Sequence, residues 1–355
     1  MSQNTVIFLP NWVGDVVMAT PTLRALRKQL GNDSKLYAVS RPYVQDVLSG
    51  SSFFDGEILY DPRSSDRALR SAAVVRQLRE LAPETIVMLT NSLRTGVISW
   101  LAGAKRRVGY ARNGRGPLLT HKLYPERNGR KRAPVSAVDY YLQLAYTLGC
   151  PLEPRRVELG LTAEDKQQAA AAWKTLDLPE DNRVVVFHTA GGWGGKRSIK
   201  AWPAEHFAAL AARIVQHSDM EVLVICGPNE REMAAEIARQ SGDPRVKSLA
   251  ALTPSIGLSK ACVARARLMV TTDSGPRHFA AAFEIPTVSL FGPTDPRWAI
   301  NYNRYESFLA SDIECAPCAS KECPLGHHRC MQEMSVDSVW KTVLGKLQIR
   351  RQHAA

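Results

Sequence analysis

Leu268 to Pro296 reads LMVTTDSGPRHFAAAFEIPTVSLFGPTDP. Leu268 to Thr272 is a short apolar run with a β-branched bias, which predicts a buried strand. Asp273-Ser274-Gly275 interrupts it with turn chemistry, and a helix is expected to start there. Ser274 suits its cap, Pro276 its first turn, and Phe279, Ala280 and Phe283 keep helical spacing toward a core. Ile285 to Phe291 predicts a second strand, stopped by Gly292-Pro293. Two strands joined by so short a helix make a βαβ crossover, which sets the helix N-terminus at the carboxyl edge of a parallel sheet. Free N–H groups and the helix dipole favour an anion there. Gly275 permits close backbone approach, and His278, one turn in, can donate to a phosphate oxygen; the same spacing also suits a capped helix with an incidental histidine.

Working outward, strand and helix alternate along the chain. Strands are expected at Thr5–Leu9, Lys35–Val39, Thr85–Leu89 and Arg107–Tyr110, and helices at Pro21–Leu30, Asp66–Leu81, Leu93–Leu101 and Val135–Leu148. Cys150 to Arg156, with two prolines and several charges, reads as a linker. The pattern then restarts with strands at Val184–His188, Glu221–Cys226, Leu268–Thr272 and Thr287–Phe291, and helices at Pro203–Gln216 and Glu230–Gln240. Alternation of this kind predicts parallel sheets flanked by helices. At 355 residues the chain exceeds one ordinary core, so the expected fold class is α/β with two doubly wound domains facing each other across a cleft.

No long uncharged apolar run is present, and Met1 to Asn4 leads straight into a strand. The expectation is a cytoplasmic protein with neither a transmembrane span nor a signal peptide. Seven cysteines then point to thiols or metal ligands before disulfides. The net charge of +12 calls for an anionic partner. From Gly103 to Arg132 there are ten Lys or Arg against one acid, Glu126, a net of +9. This stretch is rich in Gly and Pro, so it is expected to form surface loops, whether simply solvated or facing an anion. No nucleic-acid module or aromatic platform accompanies the charges, which argues against nucleic acid.

Two more stretches lie at expected carboxyl ends of strands. In Asn11-Trp12-Val13-Gly14-Asp15, the acid follows a glycine in the first βα loop, so Asp15 is either a general base or a helix-capping aspartate. After Val184–His188 comes Thr189-Ala190-Gly191-Gly192-Trp193-Gly194-Gly195, followed by Lys196, Arg197 and Lys200. Glycines let backbone amides approach an oxyanion and the lysines add charge, although a ligand-free glycine loop has the same composition. The P-loop pattern is absent.

Trp12-Val13-Gly14-Asp15, Lys200-Ala201-Trp202-Pro203, Asp273-Ser274-Gly275 with His278, and Phe291-Gly292-Pro293-Thr294-Asp295-Pro296 together resemble the bacterial lipopolysaccharide heptosyltransferases of glycosyltransferase family 9, most closely the heptosyltransferase II branch. The resemblance implies the GT-B fold, an ADP-heptose donor, inversion at the anomeric carbon and no required cofactor or catalytic metal. It implies an acceptor-binding domain over 1–160, a donor-binding domain over 161–335 and a helix over 336–350 that crosses back to the first. Asp15 matches the base, Lys200 the lysine on the donor phosphates, and Asp273, Ser274, Gly275 and His278 the diphosphate loop. Thr189, Ala190, Gly191, Asn229, Leu252 and Thr253 complete the implied donor pocket. An acceptor is expected at Asn11, Trp12, Arg112, Arg115, Arg130, Lys131 and Arg132. Its implied partners are an anionic lipopolysaccharide precursor and, peripherally, the cytoplasmic face of the inner membrane. The sequence departs from the family in the longer glycine loop, Gly191 to Gly195, and in Ala201, where an Arg is common.

Attack of an acceptor hydroxyl on the anomeric carbon needs a base on one face and stabilisation of the departing diphosphate on the other. A lysine, a histidine and a helix N-terminus are expected to supply the second without a metal. The other readings are transfer of another sugar, or to another acceptor, within the family, and a non-catalytic nucleotide-binding or metal-regulated module of the same fold. Separately, Cys315, Cys318, Cys323 and Cys330 fall within 16 residues. They could hold zinc, pack as reduced thiols, or pair on oxidation.

Overall fold

The computed structural model describes residues 4–31, 34–189 and 198–352, the side chains of 348–352 excepted. The chain divides into two compact units, Met1–Gly160 and Leu161–Ala355. In the first, the strands are β1 (Thr5–Phe8), β2 (Leu36–Ser40), β3 (Gly56–Leu59), β4 (Thr85–Met88), β5 (Arg106–Tyr110) and β6 (His121–Leu123), and β7 (Arg127–Asn128) and β8 (Lys131–Arg132) form a hairpin. The helices are α1 (Val13–Met18), α2 (Thr20–Leu30), α3 (Pro42–Gln45), α4 (Ser71–Leu81), α5 (Leu93–Leu101) and α6 (Ala137–Tyr146). The main sheet has six parallel strands in the order β3-β2-β1-β4-β5-β6.

The second unit repeats that winding. Its strands are β9 (Val184–His188), β10 (Glu221–Ile225), β11 (Val246–Ser248), β12 (Leu268–Thr272), β13 (Thr287–Phe291) and β14 (Glu306–Ala310), parallel in the order β11-β10-β9-β12-β13-β14. Around them lie α7 (Ala163–Thr175), α8 (Ala204–His217), α9 (Arg231–Ser241), α10 (Ile256–Ala264), α11 (Gly275–Ala282), α12 (Arg329–Gln332) and α13 (Val336–Gln352). In both units the chain reverses its direction of winding beside the first strand, and the loops there leave the carboxyl ends of the strands together. The central strands β1, β4, β9 and β12 are buried throughout, as expected of strands covered by helices on both faces. Helix α13 packs on α8, with Val339 and Val343 buried and Arg213 paired to Asp337 at 2.5 Å.

The stretch expected to be a linker, Cys150 to Arg156, has no regular structure, yet it is fastened to α2. Arg24 reaches Glu153 at 2.5 Å and the carbonyls of Pro154 and Arg156 at 2.6 and 3.2 Å, and Lys28 reaches the same carboxylate at 2.9 Å. Glu153 is only 8% exposed. Burial alone would raise its pKa, but the Arg24 and Lys28 hydrogen bonds outweigh that and lower it. A depressed pKa contributes stability above the ordinary carboxylate value, and that stability is lost as pH falls through the native pKa. Glu153→Gln should therefore destabilise the protein by about 1–1.5 kcal/mol at neutral pH and flatten the acid side of its stability profile. The loss stays modest because Arg24 retains two backbone carbonyls and Glu158 at 3.1 Å. Urea unfolding at pH 7 and pH 4 measures both effects.

Candidate active site

Three strand ends of the second unit build one cluster. At the end of β12, Asp273 meets Lys200 Nζ at 2.7 Å. Burial works against the Asp273 carboxylate, but the charges of Lys200 and Arg277 prevail and lower its pKa. Lys200 is thus oriented before any ligand arrives, with its side chain still about one-third exposed. Gly275 opens α11 and Pro276 follows in its first turn.

One expectation at this loop is revised. Ser274 has the extended backbone of an N-cap, but its side chain makes no capping bond. Its Oγ lies instead 3.0 Å from both His188 Nδ1 and Thr271 Oγ1. His278 is 3% exposed, with Nδ1 3.3 Å from Asn301 Nδ2. Burial first, then the Arg277 charge, lowers its pKa to about 3. The imidazole is therefore neutral at pH 7. As a neutral ring it can donate one hydrogen bond from Nε2.

At the end of β9, Thr189 is fully buried and its hydroxyl has no partner among the described residues; the same is true of Thr272 at the end of β12. A buried hydroxyl without a partner is costly, and a bound ligand at this sheet edge could supply one. Ala190, Gly191 and the rest of the glycine loop through Gly195 lie outside the described residues. Leu252 is half-buried and Thr253 exposed, just beyond β11. Past β10, Asn229 is exposed, whereas Glu230 is half-buried and was missed in the sequence. Its Oε2 accepts the Gly227 N–H at 2.6 Å and lies 3.4 Å from His188 Nε2. The available signal was an acid following Gly-Pro-Asn directly after a strand.

In the first unit, Asp15 occupies the first turn of α1 rather than a loop, and it is not the helix cap. The Tyr141 hydroxyl on α6 hydrogen-bonds the Asp15 side chain; its pKa is raised by burial first and by the Asp15 charge second. Tyr141 is a second residue that spacing could not reveal, because the two helices are remote in sequence. Asn11 and Trp12 are exposed, and Arg41 Nε lies 3.4 Å from Asn11 Oδ1.

The basic segment divides. Arg115 is 0% exposed, and its guanidinium donates to the Tyr110 carbonyl at 2.8 Å, to the Thr90 carbonyl, and to Asn91 Oδ1 at 3.3 Å. Burial lowers its pKa to about 10. Its expected role in acceptor binding is corrected to a structural one: it ties β5 to the loop after β4. Arg130, Lys131 and Arg132 lie exposed on the β7–β8 hairpin. A groove of about 510 Å³ is lined by Arg112, Asn113, Tyr124, Arg127 and Arg132 among others. Partial burial and the Arg112 charge lower the pKa of Arg132, so an anion entering the groove would relieve that repulsion. Arg127 was counted in the sequence but not selected for the site.

All seven cysteines are free thiols. Cys330 is buried beside Gly292, where a Cβ would lie 3.0 Å from its Sγ, and Cys315, Cys318 and Cys323 are half-exposed. Among the described residues no three His, Cys, Asp or Glu side chains are arranged to hold a metal ion, and no helix is long and apolar enough to cross a membrane.

Comparison with known proteins identifies the family. A lipooligosaccharide heptosyltransferase 2 of Campylobacter jejuni is 24% identical over 94% of this chain and 96% of its own length. A lipopolysaccharide heptosyltransferase 1 of Pseudomonas aeruginosa is 29% identical over 70% of this chain and 65% of its own. The solved structure of the Escherichia coli ADP-heptose lipopolysaccharide heptosyltransferase II superposes with a TM-score of 0.78 at 20% identity, covering 98% of this chain and all of that one. The family model for glycosyltransferase family 9 (heptosyltransferase) matches residues 71–329. The chain therefore belongs to glycosyltransferase family 9, the heptosyltransferases.

Proposed function

We propose that this glycosyltransferase moves a heptose from ADP-L-glycero-D-manno-heptose, with inversion, onto the lipopolysaccharide inner core, adding the second heptose to heptosyl-Kdo2-lipid A. The observation that carries the donor half is the start of α11, left uncapped by Ser274 and set beside a lysine already oriented at 2.7 Å from Asp273. N–H groups, the helix dipole and an ammonium together suit a diphosphate leaving group. Glu230 offers carboxylate oxygens to ribose hydroxyls. Asp15 is the base for the acceptor hydroxyl, and no metal takes part. The second-heptose assignment is supported by the relative that matches along 94% of the chain. The test is turnover of ADP-heptose with Kdo2-lipid A and, separately, with heptosyl-Kdo2-lipid A. Transfer only to the heptosylated acceptor supports the assignment; transfer only to Kdo2-lipid A moves the enzyme to the first-heptose step; transfer to neither refutes it.

The acceptor carries phosphates and carboxylates, and the Arg112–Arg127–Arg132 groove is where we place them, at the inner face of the inner membrane. Exposed charges are screened over about 8–10 Å at physiological ionic strength. Arg112→Gln with Arg127→Gln should raise the acceptor KM roughly threefold to tenfold, weaken its salt dependence, and leave the donor KM nearly unchanged. Initial rates at two salt concentrations decide this, and an unchanged acceptor KM would return the groove to a solvated surface.

A further inference from the structure

We propose that His188 is a positioning residue: it holds the Ser274 hydroxyl away from the start of α11 and so keeps the Arg277 N–H open to the diphosphate. This rests on the donor reading above. Ser274 has φ −137° and ψ 167° at the N-cap position, the backbone from which a serine ordinarily caps. The usual targets are the N–H groups of the second and third helical residues. Here the second is Pro276, which has no N–H, so the one remaining target is Arg277.

The geometry explains why that bond is not made. His188, the last residue of β9, is 5% exposed and lies between two polar groups. Its Nδ1 is 3.0 Å from Ser274 Oγ and its Nε2 is 3.4 Å from Glu230 Oε2. One neutral tautomer satisfies both: Nε2–H donates to the carboxylate, and Nδ1 accepts the Ser274 hydroxyl proton. Thr271 Oγ1 holds the same serine from the other side at 3.0 Å. The chain of contacts runs from Gly227 N–H through Glu230 and His188 to Ser274. It ties the ribose end of the proposed donor site to its phosphate end.

Without His188, the serine keeps only its contact to Thr271, and its hydroxyl can turn to cap Arg277 and compete with the ligand for that N–H. A serine cap strengthens a helix enough to cost a competing ligand about fivefold to tenfold in affinity. Two near-isosteric variants separate the two bonds. The side-chain carbonyl introduced by His188→Asn can take the Nδ1 position, whereas the amide introduced by His188→Gln reaches the Nε2 position, loses Ser274 and retains Glu230. Calorimetry gives the ratio of ADP to adenosine affinity. That ratio is expected to fall about fivefold to tenfold more in His188→Gln than in His188→Asn. Adding Ser274→Ala to His188→Gln should then raise ADP affinity, because no hydroxyl remains to occupy Arg277. Equal ratios in the two variants, or a further loss on adding Ser274→Ala, would overturn the proposal while leaving the donor reading intact. Wild-type protein that failed to bind ADP would overturn both.

Discussion

Replacing Asp15 with Asn is expected to lower kcat by roughly 10²–10⁴-fold, while ADP affinity stays within about twofold. The acceptor hydroxyl must lose its proton as it attacks, and Asp15 is the acid in the first turn of α1, held by the buried Tyr141 hydroxyl. An amide preserves that hydrogen bond and the packing but cannot accept the proton. The nucleotide groups assigned above, Lys200, Glu230 and the start of α11, belong to the second unit, so their affinity for ADP has no reason to change. Tyr141→Phe should have a smaller effect of a different kind. A carboxylate freed from a donor becomes more basic, so the acid limb of the kcat/KM profile should move to higher pH. Single-turnover rates with calorimetry on the same preparations check both variants. An Asp15→Asn enzyme that keeps most of its rate would remove Asp15 from the mechanism.

The central strands were legible because burial on both faces demands an unbroken apolar run. Val184–His188, Leu268–Thr272 and Thr287–Phe291 are found with the bounds read from sequence. The outer strands Gly56–Leu59, His121–Leu123 and Glu306–Ala310 escaped that reading because they are half-exposed and carry charged or polar residues. Helix α1 was hidden by Val13, Val16 and Val17, whose β-branched side chains favour extended chain locally; tertiary packing, which buries Val16 and Val17, overrides that preference. Asp15, Lys200 and the Asp273–Gly275 turn were singled out in the sequence because each follows a strand. Arg115 was misread because charge count says nothing of depth, and backbone carbonyls can satisfy a buried guanidinium as fully as a ligand can. Glu230 and Tyr141 act through partners far along the chain, at His188 and Asp15. No local pattern encodes such pairs.

Lys200→Ala is expected to weaken ADP binding about tenfold to hundredfold, the range for losing a charge-assisted hydrogen bond. The pairing with Asp273 makes the upper part of that range the expected one. In the native site the ammonium and the carboxylate, 2.7 Å apart, sum to zero charge. Removing the lysine withdraws a cation from the diphosphate and also exposes the ligand to a carboxylate that Lys200 had balanced. Two negative groups then share one low-dielectric pocket, where like charges interact strongly. It follows that Asp273→Asn, added to Lys200→Ala, should recover at least about threefold of the lost ADP affinity by returning the local charge to zero. Adenosine, which lacks the phosphates, should bind the wild type and both variants alike. Calorimetry with the two ligands reads all of this. Equal losses of ADP and adenosine would point to a folding defect, and a double variant weaker than Lys200→Ala would mean that Asp273 serves the ligand directly rather than through the lysine.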